Sequence, residues 1–501
     1  MYQLLLPDHY GVHEFKWQEK YGAVYRIKGC FNENRLMISD PTALKYILND
    51  PTTFERSIQQ QEIVNMLIGE KAVFYVKGDS HRRIRNIMNT AFSPSNMRAL
   101  PPVFSNIAEK LQTLREELSI ADNEDNAAID IYHTLHSATL DAVGEGAIGY
   151  QFQALDDNDS ELGQIHQNII TMSGVRAKSD IIFEGIVPYI PPFLLRLALS
   201  FPSPAFTALR RNREVSRKVA KELVSASMGS AKGENQHGEG QRKDLISVMV
   251  RRNLATNASD RMSDEEMQQQ IPSLMIAGQD TTGNTLSMAI YELGKDLALQ
   301  SMIRKEVLGI SENVQRDLKF EDLEKLPLMN AFLKEVLRMH PGLPMSDRVA
   351  ITDTLLPLSE ALVTTSGERI TALPIRKGQH IIIATASYNR LVSVWGNDAH
   401  VFRPSRWLES GRDNDVMSVK GTALGPYAGL ATFFGGPRVC LGWRFALTEL
   451  QVLLSVLIRR FKFSLPDDKN KFIRPRLAVT LAPVREDGCF GLPVVVKDVD
   501  E

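Results

Sequence analysis

The stretch FFGGPRVCLG, residues 433–442, sets a single cysteine among three glycines, a proline and an arginine, directly ahead of the helical pattern GWRFALTELQVLLSVLIRRF. A sulfur where loop becomes helix meets unpaired N–H groups and the positive end of the helix dipole, and both favour the thiolate that ligates metals. Gly435, Gly436 and Gly442 remove side chains where something flat or bulky can approach the backbone, and Pro437 stiffens the loop. Taken alone, a lone cysteine is more commonly a small buried hydrophobe. Zinc is less attractive still, because neither Cys nor His stands at ligand spacing on either side of Cys440.

A second run, AGQDTT at 277–282, interrupts the apolar stretch IPSLMIAGQDTTGNTLSMAIYEL with an acid, an amide and hydroxyls. On an ordinary amphipathic helix Asp280 and its threonines would face solvent. Leu274, Met275, Ile276, Leu286, Met288, Ala289 and Ile290 leave little polar face for that. Thr281 can return its hydroxyl to a carbonyl one turn back, which bends the helix, and Pro272 predicts a kink one to two turns earlier. Glu335 and Arg338 in FLKEVLRMHP share a helix face at i,i+3 and suit a bidentate ion pair. Most such pairs are surface decoration, but Phe332, Val336 and Met339 beside this one predict partial burial. In GDSHRRIRNIMNTAFSP, His81 and Arg85 share a face at i,i+4, whereas Arg82 and Arg83 read as solvated.

The elements that must position these residues follow from periodicity. YGAVYRIKGCFNENRLMISDP reads as two short strands around a Gly/Asn turn, after which Pro41 opens a helix. From about Gly78 to Met339 the apolar spacing is mostly helical, including NTLSMAIYELGKDLALQSMIRKEVLGI as one pattern. GSAKGENQHGEGQRKD, 229–244, reads as an exposed loop. After Pro341, LVTTSGERITALPIRKGQHIIIATAS alternates like short strands, and the tail reads as a small sheet. The expected architecture is a single domain over 1–501, mainly α with small peripheral β-sheets: a β-rich part at about 20–75, a helical body at about 78–340 and the cysteine loop at 433–442.

The totals exclude other classes. With 43% hydrophobic and 24% charged residues the chain has material for a large core. Lysine plus arginine (58) nearly balances aspartate plus glutamate (60), which gives no reason to expect nucleic acid. Three widely spaced cysteines do not make a disulfide framework. No run approaches the roughly 20 apolar residues of a spanning helix, and MYQLLLPDHYG lacks the parts of a signal peptide.

Phe433, Gly436, Arg438, Cys440 and Gly442 match at every spacing the haem-binding loop of the haem-thiolate monooxygenases, and the chain resembles the cytochrome P450 superfamily, most of all its fungal microsomal members. The resemblance implies the cytochrome P450 fold and haem b, with Cys440 as axial ligand, Arg438 on a propionate and Phe433 beside the sulfur. AGQDTT resembles the oxygen-activation motif: Ala277 and Gly278 border the haem, Gly278 admits dioxygen, and Asp280 with Thr281 forms the acid–alcohol pair that passes protons. Glu335 and Arg338 resemble the Glu-x-x-Arg signature, with Arg406 in FRPSRW as the third member of a structural triad holding the cysteine loop. The family usually has glutamate before that arginine, and Ser405 here predicts a weaker network. His81, where tryptophan is commoner, and Arg85 match the propionate-binding helix, and Arg348 a further propionate contact.

Members of this family in eukaryotes usually carry an N-terminal anchor and a proline-rich hinge, neither of which stands in this sequence. The resemblance implies the cytosolic face of the endoplasmic reticulum membrane, with IIFEGIVPYIPPFLLRLALSFP, 181–202, as a peripheral membrane contact. It implies electrons from NADPH through an NADPH–cytochrome P450 reductase that docks on Arg82, Arg83 and Arg444. It further implies O2 and a lipophilic substrate such as a terpenoid, sterol or fatty acyl compound, lined by Met275, Ile276, Leu343, Met345 and Leu481. Two other functions remain open at this point: a haem-thiolate isomerase or dehydratase using a peroxide already present in its substrate, and a haem-binding sensor or carrier without turnover. The acid–alcohol pair counts against both.

Overall fold

The computed structural model describes residues 1–7, 9–111, 128–156, 160–173, 178–198, 200–232, 244–310, 318–364, 366–409, 423–466 and 473–499. Strands β1 (Val24–Lys28) and β2 (Asn34–Ile38) pair antiparallel from Val24↔Ile38 to Lys28↔Asn34. Their turn holds Phe31 and Asn32 at φ of +51° and +62°, the second a residue that tolerates this conformation. Asp40 caps α1 (Pro41–Asn49) by accepting the Ala43 N–H at 2.9 Å, and Pro41 occupies the first helical position, where no donor is required. The short strand β3 (Phe54–Glu55) follows, and then the helices α2 (Gly78–Ala91), α3 (Tyr132–Ala142) and α4 (Pro204–Ala231).

Helix α5 (Asp264–Lys295) starts from a capping box in which Ser263 accepts the Glu266 N–H and Glu266 accepts the Ser263 N–H. Its 32 residues reach about 48 Å, enough to thread the helical body from side to side. Pro272 lies inside α5 without ending it, since the missing donor costs one carbonyl partner only. The expected single pattern beyond it divides at Asp296, whose carboxylate accepts the Leu299 N–H at 2.9 Å and so caps a new helix, Leu297–Ile310. Likewise α4 extends into the stretch read as loop, as far as Ala231, and Asp244 caps Leu245–Ala255; residues 233–243 lie outside the described residues.

After α6 (Pro327–Met339) come β4 (Ser346–Ala350), β5 (Thr354–Val363), β6 (Arg369–Ile375) and β7 (His380–Ile383), then α7 (Trp443–Arg460) and the hairpin of β8 (Arg474–Leu477) and β9 (Leu481–Val484). The main sheet runs β1-β2-β7-β4-β3, with β2 and β7 parallel from Arg35↔His380 to Ile38↔Ile383. The β5–β6 and β8–β9 hairpins stand apart from it, as do three strands at Ile129–Asp130, Phe461–Ser464 and Pro493–Asp498. One core gathers α2, α3, α5, α6 and α7 around Leu286, Ile290, Phe332 and Leu453, each buried to 0% exposure. A second joins the sheet to the cysteine loop through Leu48, Leu430, Phe433 and Leu447. Among the described residues no helix is long and apolar enough to cross a membrane.

The C-terminal ends of α5 and α6 are tied together by Glu292, which receives His340 at 2.9 Å and Lys295 at 2.7 Å. Burial pushes His340 below the usual histidine value, with Arg390 and Lys295 acting the same way and Glu292 opposing. A depressed histidine stays neutral in the fold while the unfolded chain takes up its proton near the ordinary value of about 6.5, so stability declines as pH falls below that point. Thermal unfolding followed between neutral pH and about pH 4.5 is expected to show this decline, and His340→Gln to make it shallower. It should not become flat, because burial depresses His136 and His166 in the same direction.

Candidate functional site

The cysteine loop is shaped by how closely this chain approaches itself. Gly436 has φ of +65°, and a Cβ there would lie 2.2 Å from the Leu48 carbonyl oxygen at the end of α1. A Cβ at Gly435 would lie 2.2 Å from the Leu424 carbonyl oxygen. The glycines expected to admit an external group are thus required first by the protein's own backbone. Cys440 follows, its N–H donating to the Phe433 carbonyl at 2.8 Å, and Phe433 is buried against Tyr427.

Burial raises the Cys440 thiol above its usual value, while the Gly442 N–H and the Arg85 charge pull it back down. The helix start expected here lies at Gly442, which caps α7 from Trp443, and its N–H acts on the sulfur in the expected direction against burial. The sulfur retains accessible surface even so.

Four guanidinium groups and one imidazole gather beside this loop. Arg438 donates to the carbonyls of Val73 at 3.1 Å and Val76 at 2.7 Å, and Arg85 donates to Val439 just before the cysteine. Arg348 donates to Ser346 Oγ and the Asp347 carbonyl, and Arg56 to the Phe74 carbonyl at 2.6 Å. All of these acceptors are neutral. Burial, then Arg56, brings Arg348 down to about 9, and burial, then Arg56 and Arg85, brings Arg438 down to about 10. His81 falls to about 4 through burial and the charges of Arg438, Arg85 and Arg56. Arg56 escaped the sequence reading because an isolated arginine after a short strand carries no spacing signal.

On α5, Ala277, Gly278, Asp280 and Thr281 keep partial exposure although the helix is buried from Thr282 to Ile290. Thr281 Oγ1 donates to the Ala277 carbonyl at 2.7 Å, one turn back as expected. Asp280 does not turn toward Thr281; it accepts from Asn284 Nδ2 at 3.1 Å and from Thr480 Oγ1. A Cβ at Gly278 would lie 2.5 Å from Val143 Cγ2, so the glycine is needed for packing against the 143–148 turn, not only for access along the helix. Of the expected substrate contacts, Ile276, Leu343 and Met345 retain surface. Met275, 1% exposed, belongs to the main core instead, and Leu481, 2% exposed, packs with Tyr10 and Ala386.

The cation set expected for reductase docking also differs. Arg83 is engaged by both carboxylate oxygens of Glu266 and by the Arg261 carbonyl, which removes it from that set. Arg82 pairs with Asp79 at 3.0 Å on the surface, and Arg444 lies 4.0 Å over the Trp443 ring.

Glu335 is wholly buried and accepts from Arg338 Nε at 2.9 Å and Nη2 at 2.8 Å, Arg406 Nε at 3.0 Å, Trp407 Nε1 at 3.0 Å and the Arg403 N–H at 2.8 Å. Burial would raise this carboxyl, but the Arg338 bonds lead a set of donors that leaves it below its usual value. Arg338 continues to the carbonyls of Asn389, Ala399 and Val401. The network is not weaker for having Ser405, because Asp398 supplies a second carboxylate to Arg406 at 3.1 Å and to Arg403 at 2.7 Å. Removing one charge from such a buried pair costs about 3–5 kcal/mol. Glu335→Gln is expected to lose stability of that size in urea-induced unfolding.

A sequence model of the family described as Cytochrome P450 matches residues 1–490. Similar curated proteins include Cytochrome P450 monooxygenase 205 of Postia placenta, 32% identical over 99% of this chain and 89% of that protein. Cytochrome P450 monooxygenase claQ of Ampulloclitocybe clavipes is 29% identical over 92% of this chain and 84% of its own. Cytochrome P450 monooxygenase claO of the same fungus is 30% identical over 94% and 86%.

Proposed function

Because the chain belongs to the cytochrome P450 family, whose members are haem-dependent oxidoreductases, we propose that this monooxygenase inserts one atom of O2 into a lipophilic small molecule, a terpenoid or another secondary metabolite. The observation that carries the reading is the cluster of Arg56, Arg85, Arg348 and Arg438 beside Cys440, bonded to neutral oxygens, each lowered first by burial, with Arg56 lowering Arg348 and Arg438 further. A dianionic propionate edge next to a thiolate-ligated iron would add countercharge to a cluster in which Asp347 and Glu55 offset burial only in part. Haem b, when bound, supplies the iron chemistry that activates oxygen.

The chain's own residues do the rest. Cys440 ligates the iron, helped toward the thiolate by the Gly442 N–H and Arg85 against the pull of burial. The four arginines and neutral His81 hold the propionates. Ala277 and Gly278 would border the haem, and Asp280 and Thr281 Oγ1 would hold and pass protons there. Glu335, Arg338 and Arg406 fix the approach to the loop, all within one catalytic unit spanning 1–501. Electrons come from NADPH through a reductase that meets Arg82 and Arg444. Replacing Cys440 with alanine is expected to abolish the thiolate Soret band of the reduced carbonyl complex, while Cys489→Ala retains it. A band surviving in Cys440→Ala overturns the assignment.

The membrane side of this reading rests on exposed apolar side chains. Phe183, Tyr189, Phe193, Leu197 and Phe201 are 55%, 77%, 67%, 64% and 67% exposed, and Phe31 on the β1–β2 turn is 66% exposed nearby, where Gly185 meets Cys30. Apolar surface of this kind favours shallow burial at a bilayer interface, here the cytosolic face of the endoplasmic reticulum. In flotation with phosphatidylcholine vesicles the double variant Phe193→Asp, Leu197→Asp is expected to lose most of the vesicle-bound fraction. Equal flotation of the variant and the parent chain refutes the contact.

A further inference from the structure

The Asp280 carboxylate is held by a polar seam that reaches α5 from two other parts of the fold. Its Oδ2 accepts from Thr480 Oγ1, in the turn between β8 and β9, and its Oδ1 accepts from Asn284 Nδ2 at 3.1 Å. Asn284 Nδ2 also donates to Thr480 Oγ1 at 2.9 Å, and Asn284 Oδ1 accepts from Tyr132 Oη of α3 at 3.1 Å. The donors and acceptors fit in one sense only. The tyrosine hydroxyl feeds the amide oxygen, the amide nitrogen feeds the threonine oxygen, and the threonine hydrogen is left for the carboxylate. Thr480 is 5% exposed and Asn284 1%, so water does not compete freely for these bonds.

The same hairpin is bonded to a residue near the other relay residue. The Leu481 N–H donates to the Gly342 carbonyl at 2.9 Å, and a Cβ at Gly342 would stand 3.6 Å from Thr281 Cβ. The hairpin therefore reaches Asp280 through a side chain and is tied by a backbone bond to Gly342, which lies near Thr281. Leu343 and Met345, which retain surface, follow directly in sequence.

We propose that Thr480 is a positioning residue: its hydroxyl sets the orientation of the Asp280 carboxylate and thereby couples the C-terminal hairpin to proton delivery. This rests on the assignment of Asp280 and Thr281 as the proton relay. Losing the hydroxyl frees the carboxylate to rotate, and a displacement of about 1 Å in a proton-transfer group is costly to rate.

The test uses the haem-loaded enzyme with reductase, NADPH and farnesol as probe, and reads the fraction of NADPH electrons recovered as hydrogen peroxide, a quantity defined whether or not farnesol is oxidised. Thr480→Val is expected to raise that fraction about three-fold or more over the wild type, and Thr480→Ser to restore it. The affinity for imidazole, read as a spectral shift, should stay unchanged in both. Asn284→Ala, which removes the second donor, is expected to act in the same direction should the valine variant fold poorly. As a readout independent of turnover, amide hydrogen exchange across 277–285 and 475–484 should rise in Thr480→Val. A valine variant that matches the wild type in peroxide while Asp280→Asn and Thr281→Ala do not overturns the role of Thr480 and leaves the relay standing. If Asp280→Asn also matches the wild type, or the wild type itself releases nearly all its electrons as peroxide, the relay and the role of Thr480 fall together.

Discussion

A carboxylate with no access to water, Glu335, is the group on which the approach to the cysteine depends. It sits on α6 with Arg338, yet three of its partners come from 403, 406 and 407, and Arg338 goes on to bind carbonyls at 389, 399 and 401. The charge is tolerated inside because its acceptor capacity is filled. A chain segment with little regular structure is thereby referenced to one rigid helix. From Asn389 the order passes to the loop itself, through Nδ2 to Thr432 Oγ1 at 2.9 Å and through Oδ1 from the Ala431 N–H at 3.1 Å.

The type of most elements was legible because apolar spacing is a local property. The strands on either side of the 29–33 turn and the long helix after Cys440 follow from it, while the helix at Pro41 and the one-turn bond of Thr281 follow from the chemistry of single residues. What was not legible is the set of facts that needs two distant segments at once. Nothing at 277–282 says that Val143 crowds Gly278, and nothing at 433–442 says that the Leu48 carbonyl occupies the space beside Gly436. Asp398 compensating for Ser405, Arg56 joining the other cations, and Thr480 meeting Asp280 belong to the same class. Asp296 is different: its capping role was readable in principle, since an aspartate three residues ahead of an N–H donor is a local signal.

Along α5 polarity is distributed by function rather than by solvent. The helix is buried from Thr282 to Ile290, yet it carries Asn284 and Thr285 there, and Gln279 is buried just ahead of that stretch. An apolar helix would pack there at lower cost. These groups instead lower their cost by bonding locally or across the interface: Thr285 to the Thr281 carbonyl, Asn284 to α3 and the hairpin, and Gln279 Nε2 to the His136 carbonyl at 3.4 Å. The polar groups thus run from the partly exposed stretch at 276–281 into the buried part of α5 at Asn284 and Thr285.

The two glycines ahead of the cysteine impose a further condition. At Gly435 and Gly436 the obstacle to any side chain is a carbonyl oxygen of the main chain, not a side-chain tip that could rotate aside. Steric exclusion of this kind is present in the bare polypeptide, so the sulfur is preorganised before a metal arrives, and no single compensating change at Leu48 or Leu424 could reopen the space, because altering either residue leaves its carbonyl in place.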